Sequence, residues 1–292
     1  MNVFIFPGQG AQFPGMGLDA YKSSKKIKSV FDEADEILGF KLSKIMFEGS
    51  DDELKQTKVT QPAIFLHSIA ELYLKNNEIK PDFVAGHSLG EFSALVANNT
   101  ISFADGLKLV SIRAKAMQKA CENNKGGMAA ILGLDDELIE ETCKNFEGNV
   151  VAANFNCPGQ VVISGDLDNV KLICEKFNKL GARRSLLLPV SGAFHSELMI
   201  GAKDELSEAI NNISLQKPSC PIYQNVNGKP ELDTDTIKIN LINQLTSSVK
   251  WTQSVKNMIK DGANNFIEFG PGKVLCGLIK KVDREVNVQS AF

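Results

Sequence analysis

The pentapeptide GHSLG, residues 86–90, stands between the short apolar run FVA at 83–85 and the helix-like segment EFSALVA at 91–97. This pattern is typical of a nucleophile elbow, in which a strand ends in a sharp turn and a helix begins at once. Glycines two residues before and after the serine relieve the steric clash of such a turn and would leave Ser88 exposed at its tip. The alternative is a plain tight turn. The flanking patterns favour the elbow and predict an α/β fold.

The composition is that of an ordinary globular protein. The chain has 292 residues, 43% of them hydrophobic and 23% charged, which is enough for a large core. Its 32 lysines and arginines against 35 acidic residues give a net charge of −3, which argues for small soluble partners and against a nucleic-acid or membrane surface. No segment approaches the roughly 20 apolar residues that cross a bilayer, and the segment MNVFIFPGQG, 1–10, lacks the basic region, long apolar stretch and cleavage site that are typical of a secretory leader. We therefore expect a cytoplasmic protein.

The cysteines and histidines do not form a metal-binding pattern. Six cysteines are scattered without a CxxC pair, and the chain has only three histidines. Zinc sites need recurrent, closely spaced ligands of these types. We predict no metal site and interpret the cysteines as reduced, mostly buried thiols.

Short β-branched or aromatic runs alternate with longer amphipathic stretches, which predicts helices packed on a largely parallel sheet. The first strand is predicted at VFIF, residues 3–6. A very apolar segment, 62–75, is predicted to be a buried helix that starts at its proline, and a second helix is predicted over 106–122. Towards the end of the chain the pattern predicts a helix over 195–210 and a strand at 265–269, followed by a turn and a last helix.

The middle of the chain has a different pattern. Between Met128 and about Val190 the order is strand, helix, hairpin, helix, strand. This βαββαβ order is that of a ferredoxin-like unit, and roughly 65 residues suffice for a small core of its own. We therefore predict an inserted ferredoxin-like subdomain over 127–190, within a larger domain formed by residues 1–126 and 191–292.

Two glycine-rich segments resemble nucleotide-binding motifs. GMGLDA at 15–20 matches GxGxxA, but such a fingerprint must follow its strand immediately, and eight residues separate it from VFIF. GPGK at 270–273 lacks the spacing of a phosphate loop and a Ser or Thr after its lysine. We interpret both as structural loops.

A serine nucleophile needs an adjacent base, and His67, His87 and His195 are the candidates. His67 lies in the apolar helix, where a core histidine is the better interpretation. His87 would point away from Ser88, because neighbours in an extended segment face opposite sides. His195 stands between a predicted strand end and a helix start, where active-site groups of open α/β sheets collect. We therefore select His195.

An oxyanion hole needs backbone amides near the serine. The amide of Leu89, at the start of the helix, is one candidate. The second is sought in the loop after the first strand, where Gly8 and Gly10 flank Gln9 and let the backbone approach a ligand. A connecting turn without a ligand fits these residues equally well.

Arg113 is the only charge on an apolar stripe of its helix that includes Leu109, Val110 and Met117. An unpaired buried charge costs several kcal/mol. Arg113 should therefore have an anionic partner, either an internal carboxylate or a substrate carboxylate held by two parallel hydrogen bonds. A side chain that reaches out to solvent is the third alternative.

Motifs along the whole chain occur in the order and spacing of one known family. They are FPGQGAQ at 6–12, TQPA at 60–63, AGHSLGEFSAL at 85–95, the helix of Arg113, GGMAAILGL at 126–134, NFNCPGQVVISG at 154–165, GAFHS at 192–196 and GPGKVL at 270–275. On these motifs the chain resembles the malonyl-coenzyme A:acyl carrier protein transacylases of bacterial fatty acid synthesis.

The resemblance implies an α/β-hydrolase-like large subdomain with an inserted ferredoxin-like one. It also implies roles for eight residues: Ser88 and His195 as catalytic dyad, the Gln9 and Leu89 amides as oxyanion hole, Arg113 at the substrate carboxylate, and Gln61, Asn156 and Phe194 in the substrate pocket. Leu89 and Phe194 resemble the malonyl-type rather than the methylmalonyl-type pattern. Gln61 and Asn156 could equally be polar turn or cap residues.

The implied reaction is a ping-pong transfer of malonyl from malonyl-coenzyme A to Ser88 and then to the phosphopantetheine thiol of acyl carrier protein. These two substrates are the expected partners, with no further cofactor, no nucleic acid, no membrane and a monomer as default. In the family a backbone carbonyl near the C-terminus orients the histidine. Here that stretch reads SVKWTQSV, 248–255, which points to a carbonyl near Lys250.

Two alternatives remain open. A serine thioesterase or other hydrolase would use the same elbow with an Asp or Glu as third member, for which Glu268 is one candidate. A catalytically idle homologue would only bind a carrier protein, although the presence of Ser88, His195 and Arg113 argues against it.

Overall fold

The computed structural model describes residues 1–75, 79–190 and 192–292. In these ranges the strands are β1 (Asn2–Phe6), β2 (Phe83–Gly86), β3 (Gly126–Leu132), β4 (Val150–Cys157), β5 (Gln160–Asp166), β6 (Arg184–Leu187), β7 (Ile222–Tyr223), β8 (Pro230–Glu231), β9 (Asn265–Glu268) and β10 (Asn287–Ser290).

The α-helices of the same ranges are α1 (Leu18–Ser23), α2 (Lys25–Leu38), α3 (Leu42–Glu48), α4 (Asp51–Lys55), α5 (Thr57–Lys75), α6 (Gly90–Ala97), α7 (Phe103–Asn123), α8 (Asp136–Lys144), α9 (Leu167–Lys179), α10 (Ile200–Asn211), α11 (Thr234–Asn243), α12 (Trp251–Lys260) and α13 (Val274–Val282). Short 3₁₀ helices span Glu197–Met199 and Gln244–Thr246. Within the described residues, none of the helices is both long and apolar enough to cross a membrane.

The larger sheet has the strand order β10-β9-β1-β2-β7-β8. Its strands pair in parallel, except that β8 runs antiparallel to β7. The central strands are apolar because both faces of the sheet are covered. Phe4 and Phe6 of β1 pack into the core that includes α5 and α7, whereas Val3 and Ile5 pack against α12 and α13. The predicted α/β class is therefore confirmed.

The smaller sheet has the order β4-β5-β3-β6 and is antiparallel. The chain order is β3-α8-β4-β5-α9-β6, which is the predicted βαββαβ unit. The smaller sheet contacts the larger domain at the segment before α12, where the amide of Phe155, in β4, donates to the carbonyl of Val249 at 2.9 Å. Ser191, where the larger domain was predicted to resume, lies outside the described residues, and the subdomain boundaries stay a prediction.

Several element boundaries differ from the predicted ones. Helix α5 begins at Thr57, so that Pro62 lies inside it rather than at its start. Proline removes one hydrogen bond of a helix, and almost every α5 residue from Val59 to Leu72 is buried, so tertiary packing holds the helix despite that loss. Strands β7, β8 and β10 were not predicted because they are too short or too polar to give a pattern. Helix α10 starts at Ile200, five residues later than predicted.

Candidate active site

Ser88 stands in the turn between β2 and α6. Its backbone φ is +52°, in the left-handed region that residues with a side chain rarely adopt. The two flanking glycines are required by close packing, because a Cβ on Gly86 would lie 1.9 Å from the carbonyl carbon of Gly90, and one on Gly90 would lie 2.0 Å from the oxygen of Phe6. The turn therefore has the strand, turn and helix of the predicted elbow.

His195 lies in the turn before the 3₁₀ helix Glu197–Met199, also with a positive φ of 59°. Its Nε2 is 2.8 Å from Ser88 Oγ. Its Nδ1 lies 2.9 Å from the carbonyl oxygen of Gln244 and 3.2 Å from that of Ser247. Carbonyl oxygens only accept hydrogen bonds, so Nδ1 carries the proton and Nε2 has the free lone pair. The expectation of a carbonyl near Lys250 was wrong by several residues, because the 3₁₀ turn Gln244–Thr246 brings earlier carbonyls to the ring.

The charge state of His195 follows from its surroundings. Burial and, next in size, the positive charge of Arg113 lower the pKa of His195 to about 3. The imidazole is therefore neutral at physiological pH and can accept the hydroxyl proton.

Gln9 and Leu89 line the same cavity as Ser88. Leu89 is the residue immediately before α6, and neither amide donates to a protein group within the described residues. By contrast, the amide of Ser88 donates to Asn225 Oδ1 at 2.6 Å. Two open donors thus lie beside the serine, one of them at a helix N-terminus where the helix dipole favours negative charge.

Arg113 projects from α7 and is 1% exposed. Its Nη1 donates to Gln61 Oε1 at 2.6 Å, and its Nη2 donates to Ser88 Oγ at 2.9 Å and to Gln244 Oε1 at 3.1 Å. Burial lowers its pKa to about 9, an effect that the carboxylate of Glu91 opposes, so the guanidinium stays cationic at neutral pH. Its hydrogen-bond partners in the described chain are thus neutral groups, and no internal carboxylate forms an ion pair with it there.

These groups surround one cavity of about 600 Å³. Its walls include all eight predicted site residues: Gln9, Gln61, Ser88, Leu89, Arg113, Asn156, Phe194 and His195. His87 also lines it, with Nε2 at 2.9 Å from Asn156 Oδ1 and its ring 5.8 Å from that of Trp251. The chain therefore brings together residues that are up to 186 positions apart in sequence (9 to 195).

The other candidates lie elsewhere. His67 is buried in α5, where its Nδ1 is 3.7 Å from Glu71 Oε1. Both carboxylate oxygens of Glu268 accept hydrogen bonds from amides of α13, Leu275 at 3.1 Å and Cys276 at 2.8 Å. Because His195 Nδ1 bonds to carbonyl oxygens, Glu268 does not orient it. In the described chain, no group of three or more His, Cys, Asp or Glu side chains is placed to hold a metal ion.

Sequence reasoning missed two residues of the site, Asn225 and Gln244. Besides its carbonyl, Gln244 supplies a side chain whose Nε2 donates to the carbonyl of Ser88 at 3.0 Å. Asn225 binds the backbone on both sides of His87. Asn225 carried one weak signal, because it is the second residue after the short run IY that forms β7. Gln244 carried none, because it resembles any polar residue after an amphipathic helix.

Comparisons with known proteins agree with this geometry. Residues 3–291 match the family described as acyl transferase domain. The malonyl CoA-acyl carrier protein transacylase of Bacillus subtilis (strain 168) is 46% identical over 288 residues, which are 97% of this chain and 91% of the relative. The acyl-carrier-protein-S-malonyltransferase of Bartonella henselae superposes with a TM-score of 0.95 at 39% identity, over 99% of this chain and 95% of that one. A malonyl-transacylase solved in complex with a type II PKS acyl-carrier protein has a TM-score of 0.94 at 36% identity, over 99% and 94% of the two chains. The chain therefore belongs to the acyl transferase domain family and, within it, to the malonyl CoA-acyl carrier protein transacylases.

Proposed function

We propose that this chain transfers a malonyl group from malonyl-coenzyme A to the phosphopantetheine thiol of acyl carrier protein and so supplies fatty acid synthesis. The relatives compared above are malonyl transacylases by name, and one was solved with its acyl-carrier protein. The observation that carries the proposal is the pair of contacts at Ser88 Oγ, with His195 Nε2 at 2.8 Å and Arg113 Nη2 at 2.9 Å. A nucleophile, a base and a cation suited to a free carboxylate thus meet at one hydroxyl.

In the first half-reaction, His195 Nε2 takes the hydroxyl proton of Ser88 while Oγ attacks the thioester carbonyl carbon. The carbonyl oxygen becomes the oxyanion of a tetrahedral intermediate. The C–S bond then breaks, coenzyme A leaves as a thiol with the proton from Nε2, and the malonyl group remains as an ester on Ser88.

The second half-reaction repeats these steps with a different nucleophile. The phosphopantetheine thiol gives its proton to His195 Nε2 and attacks the Ser88 ester. When the second intermediate collapses, the ester C–O bond breaks and Nε2 returns the proton to Oγ. The carrier leaves as a malonyl thioester, and the enzyme regains its starting state.

The amides of Gln9 and Leu89 are the proposed oxyanion donors. Both line the cavity, and neither has a protein partner within the described residues. Donors of this kind stabilise charge that develops only during the reaction, because they are oriented before it begins. Their contribution is therefore to the rate rather than to substrate binding.

Arg113 is the proposed partner of the malonyl carboxylate. A carboxylate is a stronger acceptor than the neutral oxygens that Arg113 now contacts, and it can receive two parallel hydrogen bonds. Gln61 holds Nη1 in place, while Asn156 and Phe194 are proposed to shape the pocket around the acyl group. An acetyl group would leave the buried cation without an anion, so the proposed site selects against it as well as for malonyl.

Several less specific features belong to the same proposal. The reaction needs no cofactor beyond the coenzyme A and phosphopantetheine that arrive on the substrates. We also propose that the enzyme is a monomer and that residues 127–190 form an inserted subdomain. We further propose that it is cytoplasmic, in keeping with the six cysteines, none of which forms a disulfide.

The test is the intact mass of the protein after addition of malonyl-coenzyme A and again after addition of thiol-bearing acyl carrier protein. We expect one malonyl adduct that passes to the carrier and does not form on Ser88→Ala. In Arg113→Ala the preference for malonyl over acetyl should fall by on the order of 100-fold, whereas the exposed Arg284→Ala serves as a matched control without effect. An adduct that is lost to water would instead indicate a thioesterase, and a wild-type protein without any adduct would refute the proposal.

A further inference from the structure

Strand β2 leaves the sheet at the point where the elbow begins. It pairs in parallel with β7 through Val84 opposite Ile222 and Ala85 opposite Tyr223. Continued by two residues, this register places Asn225 opposite His87. Backbone pairing with β7 has stopped there, although the amide of His87 still donates to the carbonyl of Phe6 in β1 at 2.9 Å. The polar groups of the backbone around His87 therefore need other partners.

The side-chain amide of Asn225 supplies both partners. Its Nδ2 donates to the carbonyl of Gly86 at 2.6 Å, and its Oδ1 accepts from the amide of Ser88 at 2.6 Å. In a parallel ladder, a residue does not hydrogen-bond to the residue opposite it on the next strand. Its N–H donates to the residue before that one, and its C=O accepts from the residue after it. Gly86 and Ser88 stand in that relation to His87.

We infer that Asn225 is a positioning residue of the nucleophile elbow: its side-chain amide replaces a backbone peptide in the ladder between β7 and β2 and so holds Ser88 in its left-handed conformation. This inference deepens the proposed function, on which its kinetic test rests.

Asn225 is itself held rigidly. It is 1% exposed. Its backbone amide donates to Glu91 Oε2 at 2.9 Å, and its backbone carbonyl accepts from the amide of Lys250 at 2.9 Å. The second oxygen of Glu91 accepts from Gln224 Nε2 at 3.0 Å. Since Glu91 lies in the first turn of α6, the helix that follows the serine is tied to the same two residues that follow β7.

The backbone amides of Ser88 and Leu89 also differ in whether a protein group accepts their hydrogen bond. The amide of Ser88 is occupied by Asn225, whereas the amide of Leu89, a residue that lines the cavity, has no protein acceptor within the described residues. Asparagine suits this position because one donor and one acceptor are needed. An aspartate offers no donor to Gly86 unless it is protonated, and an alanine removes the partner of both backbone groups, the buried carbonyl of Gly86 and the partly buried amide of Ser88.

The kinetic test compares Asn225→Ala with Asn98→Ala. Asn98 is a matched control, because it is also buried and its side chain also bridges two groups, the carbonyl of Cys220 at 3.1 Å and the hydroxyl of Thr100 at 2.6 Å. Both variants should unfold at a lower temperature than the wild type. Only Asn225→Ala should lose kcat for malonyl transfer, by on the order of 100-fold, with KM for malonyl-coenzyme A changed less than about threefold. Equal kcat values for the two variants would overturn the inference.

A second measurement, hydrogen–deuterium exchange of the backbone amides, needs neither a variant nor an activity assay. In the wild-type protein the Ser88 amide should exchange with deuterium as slowly as the amides of β2, and the Leu89 amide should exchange much faster. Fast exchange at Ser88 would overturn the inference even if malonyl transfer were established. Should Asn225→Ala not fold, Asn225→Asp takes its place in the kinetic comparison. We expect this variant to lose kcat, and a kcat equal to that of the wild type would overturn the inference.

Discussion

Two corners of the larger sheet have the same plan of strand, turn and helix, yet they use their helix amides differently. After β2, residues 87–89 lead into α6, and the amide of Leu89 has no protein acceptor within the described residues. After β9, residues 269–273 lead into α13, and the amides of Leu275 and Cys276 are both bound by the carboxylate of Glu268. Because β2 and β9 are parallel to β1, both corners lie at the carboxyl edge of the sheet.

The comparison shows that burial can shift a pKa strongly both at the candidate active site and away from it. Beside each corner lies a titratable group from another segment with a strongly altered pKa: burial lowers the pKa of His195, which contacts Ser88, to about 3, and burial raises the pKa of Glu71, which contacts Gly270, to about 8. Glu71 accepts a hydrogen bond from the amide of Gly270 at 2.6 Å and does not line the main cavity. A shifted pKa therefore does not by itself mark an active site. The corner after β2 adds an amide without a protein acceptor, that of Leu89, together with a serine hydroxyl and a cavity of about 600 Å³.

The largest expected effect distinguishes two histidines, one beside each corner: His195, which contacts Ser88, and His67, which lies near Glu71. In His195→Ala the rate of malonyl-Ser88 formation should fall about 10⁴-fold, because the hydroxyl loses its base. In the matched variant His67→Asn, which alters the histidine beside Glu71, the rate should stay within about threefold of wild type. Rapid-quench mass spectrometry measures both rates. Similar losses in the two variants would show that the comparison is wrong.

The next effect concerns Glu268. In Glu268→Ala two amides of α13, one buried and one partly buried, lose their acceptor, so the free energy of unfolding should fall by on the order of 2–4 kcal/mol. Denaturant unfolding measures this loss, with the exposed Glu285→Ala as control. The kcat of malonyl transfer should remain within about threefold of wild type. A loss of kcat as large as that of His195→Ala would make Glu268 the third member of a hydrolase triad and would break the comparison.

The smallest effect is a pH dependence in the corner after β9. The pKa of Glu71 is raised from 4.5 to about 8, chiefly by burial. The folded state therefore retains a proton that the unfolded state loses, so the stability from Glu71 is complete below pH 4.5 and is lost as the pH rises through 8. Glu71→Gln keeps an acceptor for Gly270 and cannot ionise.

The measurement is the free energy of unfolding of wild type and Glu71→Gln at a series of pH values. Relative to the variant, the wild type should lose on the order of 2–4 kcal/mol between pH 5 and pH 8. A constant difference over this range would indicate that Glu71 is already ionised in the folded protein. Activity at pH 7 should be the same in both proteins.

Much of the fold could be predicted because its signals are local. The βαββαβ order of β3 to β6 follows from strands and helices that are each long enough to show their period. The elbow is likewise contiguous, with both glycines and the serine inside five residues. Element ends were less predictable, since the true start of α5 at Thr57 depends on burial of the segment around Pro62 rather than on the usual preference of proline for a first turn.

The site could be predicted only where chemistry restricts the choice of residue. Three histidines left few candidates for a base, and a lone arginine on an apolar stripe required a partner. Asn225 and Gln244 escaped notice because an amide side chain is compatible with almost any surface or cap position. Their importance lies in which backbone groups they reach, and the side-chain amide of Gln244 reaches the carbonyl of Ser88 from 156 positions away.

By itself, the sequence determined the alternation of strands and helices, the elbow around Ser88 and the presence of a buried cation in α7, because each depends on side-chain size, period and charge within one short segment. Only the tertiary structure decided which carbonyls orient His195, which side chains replace the ladder beside His87, and why Glu268 serves a helix end instead of the histidine. These are contacts between segments far apart in the chain, and their geometry exists only after the sheet has formed and brought the segments to one edge.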